Sequence, residues 1–240
     1  MDVRSVGLAS LCGALALFMP SVCFAQVAHT GYSGLVSTPN AEVLPEGRMA
    51  ISFNWIEGPQ TYLFAPQTNR IYAVTLGLLD RLEVTFRQTQ VIGWNDPDAP
   101  GVKHAFDRMF SAKYAIPIPN SYPQIAIGVQ DIISGNLISG IKDLKPGTTQ
   151  YGQSTLYGVL GDNYPNMAWH VGFGTSQAFI NGYFGGIQYK PFDQASLLGE
   201  WDSRGFNWGF RFSPFHATWV QLSLINHSTL SLSSSLLISL

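Results

Sequence analysis

Cysteine is nearly missing: the chain has two, Cys12 and Cys23, and both lie within its first 25 residues. Past that point no disulfide framework, cysteine-based zinc site or thiol nucleophile can be built. Charge is scarce as well. Asp, Glu, Lys and Arg make up 12% of the residues, about half the usual share of roughly 25% in soluble domains. With a formal net charge of −2 and no dense basic patch, nucleic acid is excluded as a partner. Long hydrophobic runs are the third absence. After residue 25 no stretch approaches the roughly 20 apolar residues of a membrane helix.

The first 25 residues carry their own pattern. Arg4 forms a short positive start, Gly7 to Met19 is apolar and uncharged, Pro20 breaks the run, and Cys23 and Ala25 occupy the small-residue positions of a cleavage site. This predicts a Sec-type signal peptide over 1–25, removed before Gln26. Pro20-Ser21-Val22 before Cys23 and Ala9-Ser10-Leu11 before Cys12 lack the small residues a lipid-anchor signal needs.

What the chain has in quantity is glycine, aromatics and alternation. In Arg81-Leu82-Glu83-Val84-Thr85-Phe86-Arg87, Arg81, Glu83, Thr85 and Arg87 fall on one face of a strand and Leu82, Val84 and Phe86 on the other, because side chains alternate with a period of two. The same pattern begins at Arg48, where Met49, Ile51, Phe53 and Trp55 oppose Ala50, Ser52 and Asn54. It recurs over Arg70–Leu78, Arg108–Ile116, Gln124–Ile132, Gln150–Leu160, Asn166–Gly174, Phe179–Lys190, Ala195–Asp202, Gly205–Phe212, Ala217–Ile225 and Thr229–Leu240. Asn95–Lys103 and Ile133–Thr149 read as loops. Gln26 to Gly47 is rich in turn formers, including Thr38-Pro39-Asn40 and Pro45-Glu46-Gly47. For this segment the sequence leaves open a short strand at Gly34–Ser37, a periplasmic position and the barrel mouth, and whether it plugs the barrel.

A soluble sandwich also alternates, so the polar face arbitrates. On a soluble sheet it should be rich in Lys and Glu. Here it is mostly Ala, Gly, Ser, Thr, Asn and Gln, which suits the crowded interior of a narrow barrel. Trp55, Trp169, Trp201 and Trp208 fall on the apolar faces, as an aromatic girdle would. The expected fold is all-β: an antiparallel transmembrane β-barrel of about twelve strands, ten or fourteen being the neighbouring even numbers. It is a single domain over 48–240, preceded by a turn-rich segment over 26–47. The chain ends in Leu240 rather than the aromatic residue typical of outer-membrane barrels.

Candidate chemistry is thin. Arg81, Glu83, Arg87, Lys113, Glu200, Asp202 and Arg211 are the expected lumen charges, four cations against three carboxylates. They read as a polar pathway or, more economically, as an ion-pair cluster filling the barrel. Glu200 and Asp202 are spaced like a carboxylate pair, but no carbohydrate-cleft signal accompanies them. His170 shares the lumen face, and a Ser-His lipase would need a nucleophile motif that is missing. His29, His104, His216 and His227 lack metal-ligand spacing. Asp96 and Asp98 resemble only a fragment of a calcium loop, interrupted by Pro97. Gly182, Gly185 and Gly186 lie in a strand rather than a phosphate-cradling loop. No catalytic residue, metal or cofactor is expected.

Several stretches taken in order resemble the YjbH family of outer-membrane proteins: Gly34-Leu35-Val36-Ser37-Thr38-Pro39-Asn40-Ala41 followed by Leu44-Pro45-Glu46-Gly47; Lys113-Tyr114; Ile127-Gly128-Val129-Gln130-Asp131-Ile132; Asn181-Gly182-Tyr183-Phe184-Gly185-Gly186-Ile187; and Leu198-Gly199-Glu200-Trp201-Asp202 leading to Phe206-Asn207-Trp208-Gly209. The resemblance implies a barrel in the outer membrane of a Gram-negative bacterium, assisting exopolysaccharide production or export without catalysis. It also implies contact with outer-membrane lipid, with polysaccharide and with other secretion proteins. Family members are usually longer, so the chain corresponds to a single, N-terminal-like barrel, and Trp201 stands where Tyr is expected. Three other readings remain beside it: a passive porin-like channel, an outer-membrane hydrolase or lipase, and a secreted lectin-like sandwich.

Overall fold

The computed structural model describes residues 26–57, 68–93, 104–118, 123–132, 154–175, 180–215 and 217–240. The expected signal peptide with both cysteines, the loops Asn95–Lys103 and Ile133–Thr149, and Asp96 and Asp98 lie outside the described residues. So do His216 and the side chain of His104.

Twelve strands are present among the described residues: β1 (Arg48–Ile56), β2 (Asn69–Leu79), β3 (Leu82–Ile92), β4 (His104–Ala115), β5 (Gln124–Gln130), β6 (Thr155–Asn163), β7 (Met167–Thr175), β8 (Asn181–Phe192), β9 (Ala195–Trp201), β10 (Phe206–Phe215), β11 (Thr218–Ile225) and β12 (Thr229–Ser239). Each pairs antiparallel with its sequence neighbours, and β12 returns to β1 to close the barrel. Closure pairs every edge, which is what lets strands cross a bilayer without unsatisfied backbone. No helix among the described residues is long and apolar enough to cross a membrane.

The two faces separate as the alternation requires. Ile51, Phe53, Trp55, Tyr72 and Phe86 point out and are exposed, as are Trp208, Phe210 and Phe212 across the barrel. Ser52, Asn54, Thr75, Thr85, Asn207 and Ser223 point in and are buried. A continuous belt of exposed Phe, Leu, Ile, Tyr and Trp would be an aggregation liability in water; around a closed barrel it is the lipid-facing surface. The fold is therefore an outer-membrane barrel, in contact with membrane lipid.

The connections have two lengths. On the side of the termini they take 2, 8, 3, 2 and 2 residues, and on the other side 12, 11, 24, 5, 4 and 3. Short turns face the periplasm in such barrels and long loops face outward, which sets the orientation. The turn Asp80-Arg81 changes one expectation. Arg81 lies in the turn with φ 68, so β3 begins at Leu82 and the alternating stretch loses its first residue. Similarly, Asp131 takes φ 58 and ends β5 at Gln130, before the expected Ile132.

The interior is not empty. Residues 26–44 run inside the barrel, and all from Val27 to Pro39 are buried. Leu35 and Val36 pack against Ile56, Ile71, Leu198 and Ile225 of the wall. Ala41 joins Ala126, Tyr157, Val159, Ile180 and Phe184, and Val27 and Leu44 join Ala50 and Trp219. Each cluster combines wall and insert, so this segment forms the core that the barrel alone lacks. Two glycines permit it. Gly31 has φ 102 and packs so closely that a Cβ would lie 2.8 Å from Thr85 Cγ2. At Gly77 a Cβ would collide with the Pro45 carbonyl, where the segment leaves the lumen to enter β1.

Candidate functional site

The charged wall residues meet this plug. β9 carries Glu200 inward near its outer end, and the carboxylate accepts from three successive plug amides: Val36 N at 3.0 Å, Ser37 N at 2.6 Å and Thr38 N at 3.3 Å. Thr38 Oγ1 adds a bond at 2.8 Å and Asn207 Nδ2 of β10 another at 2.9 Å. Successive amides converging on one anion make a concave backbone site for negative charge, and here the anion belongs to the wall.

Glu83, near the periplasmic end of β3, does the same at the other end of the plug. It accepts from Ser33 N and Leu44 N, at 2.9 and 2.8 Å, and from the Ser33 hydroxyl. Lys113 of β4 lies 3.5 Å from it and donates to the Ser33 carbonyl at 2.8 Å. Arg211 of β10 reaches the plug from a third side, donating to the Leu35 carbonyl at 2.9 Å and to the Gln26 side chain. Its Nε is held by Gln221 at 2.8 Å, and the guanidinium lies 4.7 Å from the Trp219 ring centroid. Carboxylates take plug N–H groups and cations take plug carbonyls. Backbone that lies inside a barrel must find its partners there, and these side chains supply them.

The seven expected lumen charges thus divide. Glu83, Lys113, Glu200 and Arg211 gather on the plug. Arg87 is buried on β3, with one N–H directed at the Met109 sulfur and its charge near His29. Asp202 lies just past β9, where it caps the turn by accepting from Arg204 N and Gly205 N at 3.1 and 3.0 Å. Asn207 joins it to Glu200, 2.8 Å from the Asp202 carboxylate. Arg81 is a correction: it is exposed in its turn beside Asp80, at 3.4 Å, because the two-residue hairpin consumes that position.

His170 points inward from β7, and its Nε2 lies 2.8 Å from Thr38 Oγ1. Thr38 also donates to Glu200, so its oxygen accepts from His170 Nε2–H. A nucleophile–base–acid relay needs the carboxylate on the imidazole; here it is on the hydroxyl. Three plug residues have displaced protonation equilibria, and burial pushes the Tyr32 hydroxyl up. Burial, with the Arg87 charge adding to it, brings His29 down to about 3. Burial pushes Glu42 up, against the pull of Lys190 and Lys113. Among the described residues no cluster of His, Cys, Asp or Glu could hold a metal ion.

Sequence reasoning passed over Ser33, Thr38 and Asn207, which complete the two carboxylate sites. For Thr38 and Asn207 the usable signal was their place inside the family-like stretches; Ser33 precedes the first of these and carried none.

Residues 26–141 match the model of the YjbH family, described as "Exopolysaccharide biosynthesis protein YbjH"; they comprise the plug and β1–β5. Among solved structures, the chain is similar to the COG4313 outer membrane channel from Pseudomonas putida F1, with 13% identity and a TM-score of 0.47 over 85% of this chain and 100% of that one. It is also similar to the outer membrane phospholipase of Salmonella typhi, solved as a dimer with bound calcium: 11% identity, TM-score 0.43, 81% of this chain and 92% of that one. The Escherichia coli outer membrane phospholipase A gives 10% identity and a TM-score of 0.42, over 80% and 93% of the two chains. No curated protein matches.

Proposed function

We propose, from the premise that residues 26–141 are YjbH-family sequence, that the protein is a non-catalytic outer-membrane barrel assisting exopolysaccharide production or export. Its work is done with the polysaccharide and with other secretion proteins. The observation that carries this reading is the coincidence of the family match with the plug: the matched stretch contains residues 26–47 together with Glu83 and Lys113, which hold one end of it. A lumen filled by the chain's own backbone argues against a permanently open pore. Glu83 and Glu200 direct their lone pairs at plug amides and Asp202 at the amides of its own turn, which argues against a hydrolase built on them.

The test is a deletion strain complemented with the wild-type gene or with Glu200→Ala, scored for secreted polysaccharide. Deletion is expected to lower the polysaccharide, the wild-type gene to restore it, and the variant to alter the restored amount. Unchanged polysaccharide on deletion sinks the reading. In planar bilayers the wild-type protein is expected to be nearly closed; a steady open conductance would favour the passive channel instead.

A further inference from the structure

The outward face of the described strands is apolar or small over most of its circumference; apart from the uncharged pair Thr175 and Asn181 at the ends of β7 and β8, it is broken by one cationic patch. Among the described strand residues two cations face outward, Arg70 on β2 and Arg108 on β4, and both are exposed. They flank β3, whose outward positions change from Val84 and Phe86 to Gln88 and Gln90. The register brings the four together: Arg70 lies opposite Gln90, and Gln88 lies opposite Arg108. On the far side of the barrel, Trp208, Phe210 and Phe212 hold the corresponding face of β10 with no such change.

The depth of the patch follows from the strands. Arg70 is nine residues above Leu79 at the periplasmic turn, and Arg108 is seven above Ala115. At about 2.6 Å of height per residue for a strand tilted by about 40°, they lie roughly 23 and 18 Å up an apolar band about 25 Å tall. Trp55, exposed and directly opposite Arg70, marks the same level independently, since indole rings collect where chains meet headgroups. Arginine stems lie along apolar surface and send their guanidinium groups toward the interface.

We propose that Arg70 and Arg108, with Gln88 and Gln90 between them, form a binding site for the phosphorylated headgroup of an outer-leaflet glycolipid. The guanidinium forks match phosphate oxygens in two-point contact, and the carboxamides offer donors and acceptors to the adjoining sugar hydroxyls. The patch sits on the half of the wall toward the long loops, where that leaflet's headgroups lie.

The experiment compares full-length wild type with Arg70→Gln/Arg108→Gln in phosphatidylcholine vesicles, with or without a bisphosphorylated glycolipid. Retained glycolipid per barrel and the temperature at which the folded band is lost on a gel are measured. Wild type is expected to gain stability with the glycolipid, and the double variant to match wild type without it. Retention by the variant should fall roughly tenfold or more, as expected for lost charge-assisted hydrogen bonds. Equal retention by the two proteins overturns the site. If inorganic phosphate alone reproduces the stabilisation, the lipid assignment is overturned in favour of a simple anion. Wild type with dephosphorylated glycolipid gives a second test that needs no variant. Protection is expected to disappear, and undiminished protection overturns the phosphate contact.

Discussion

The two ends of the plug are tied down by the same side chain in different surroundings. Glu83 has a cation beside it, Lys113 at 3.5 Å. Glu200 instead collects three consecutive amides, a hydroxyl and an amide side chain. Both accept plug amides, but Glu83 adds a cation in contact, whereas Glu200 is held chiefly by oriented dipoles, with the Arg211 charge acting on it from beyond ion-pair contact. Neutralising a carboxylate inside a barrel therefore does not require a salt bridge. It requires donors held in place, and a folded backbone loop holds them as well as a lysine does.

Removing either carboxylate should separate the two cases. Glu83→Ala strands the Lys113 ammonium in the lumen, and breaking a buried pair costs about 3–5 kcal/mol. The temperature of the gel shift should fall most here, and Glu83→Ala/Lys113→Met should recover a large part of the loss. If the double variant is no better than the single one, the ion pair is not what distinguishes this end. Glu200→Ala leaves amides unsatisfied, and it removes a charge that acts on Arg211 but breaks no contact ion pair among the described residues. The expected effect is roughly 2–3 kcal/mol, read as protease access to residues 26–47 and a rise in bilayer conductance. An unchanged conductance would contradict the lock. Thr38→Val removes one hydroxyl from both Glu200 and His170, and about 1 kcal/mol is expected in the same protease assay; full resistance would show the hydroxyl to be dispensable.

A further effect is on pH dependence. His29 has a docked value of about 3, below its ordinary 6.5, so the undocked plug binds the proton more readily. Docking should be strongest above pH 6.5 and weaken as pH falls from there toward 3. Glu42, shifted upward, acts in the opposite sense: its contribution is present at low pH and is lost as pH rises through its raised value. His29→Gln should therefore flatten the acid-side loss of protease resistance. A profile identical to wild type would remove His29 from the account.

The barrel was largely legible in the sequence, because a period of two needs only neighbouring residues to declare it. Phe206, Trp208, Phe210 and Phe212 announce an outward face, and Asn207 and Arg211 an inward one. Strand ends were less legible: Arg81 fits the alternation of β3, yet the hairpin takes it at φ 68. The plug was the least visible part. Its residues follow no period, since each is placed by a wall partner distant in sequence. The expected cluster of mutual ion pairs was accordingly incomplete. Lys113 and Glu83 do pair, but most bonds from the wall charges go to backbone atoms, which have no letter in a sequence.

The bond between Val36 N and Glu200 joins residues 164 positions apart. The plug enters the periplasm ahead of the strands, whereas β9 arrives late and β12, which seals β1, arrives last. A chain halted before residue 200 can present its plug but lacks the carboxylate that gathers the amides of the tip. The lock therefore joins a leading segment to a trailing one across most of the length of the chain.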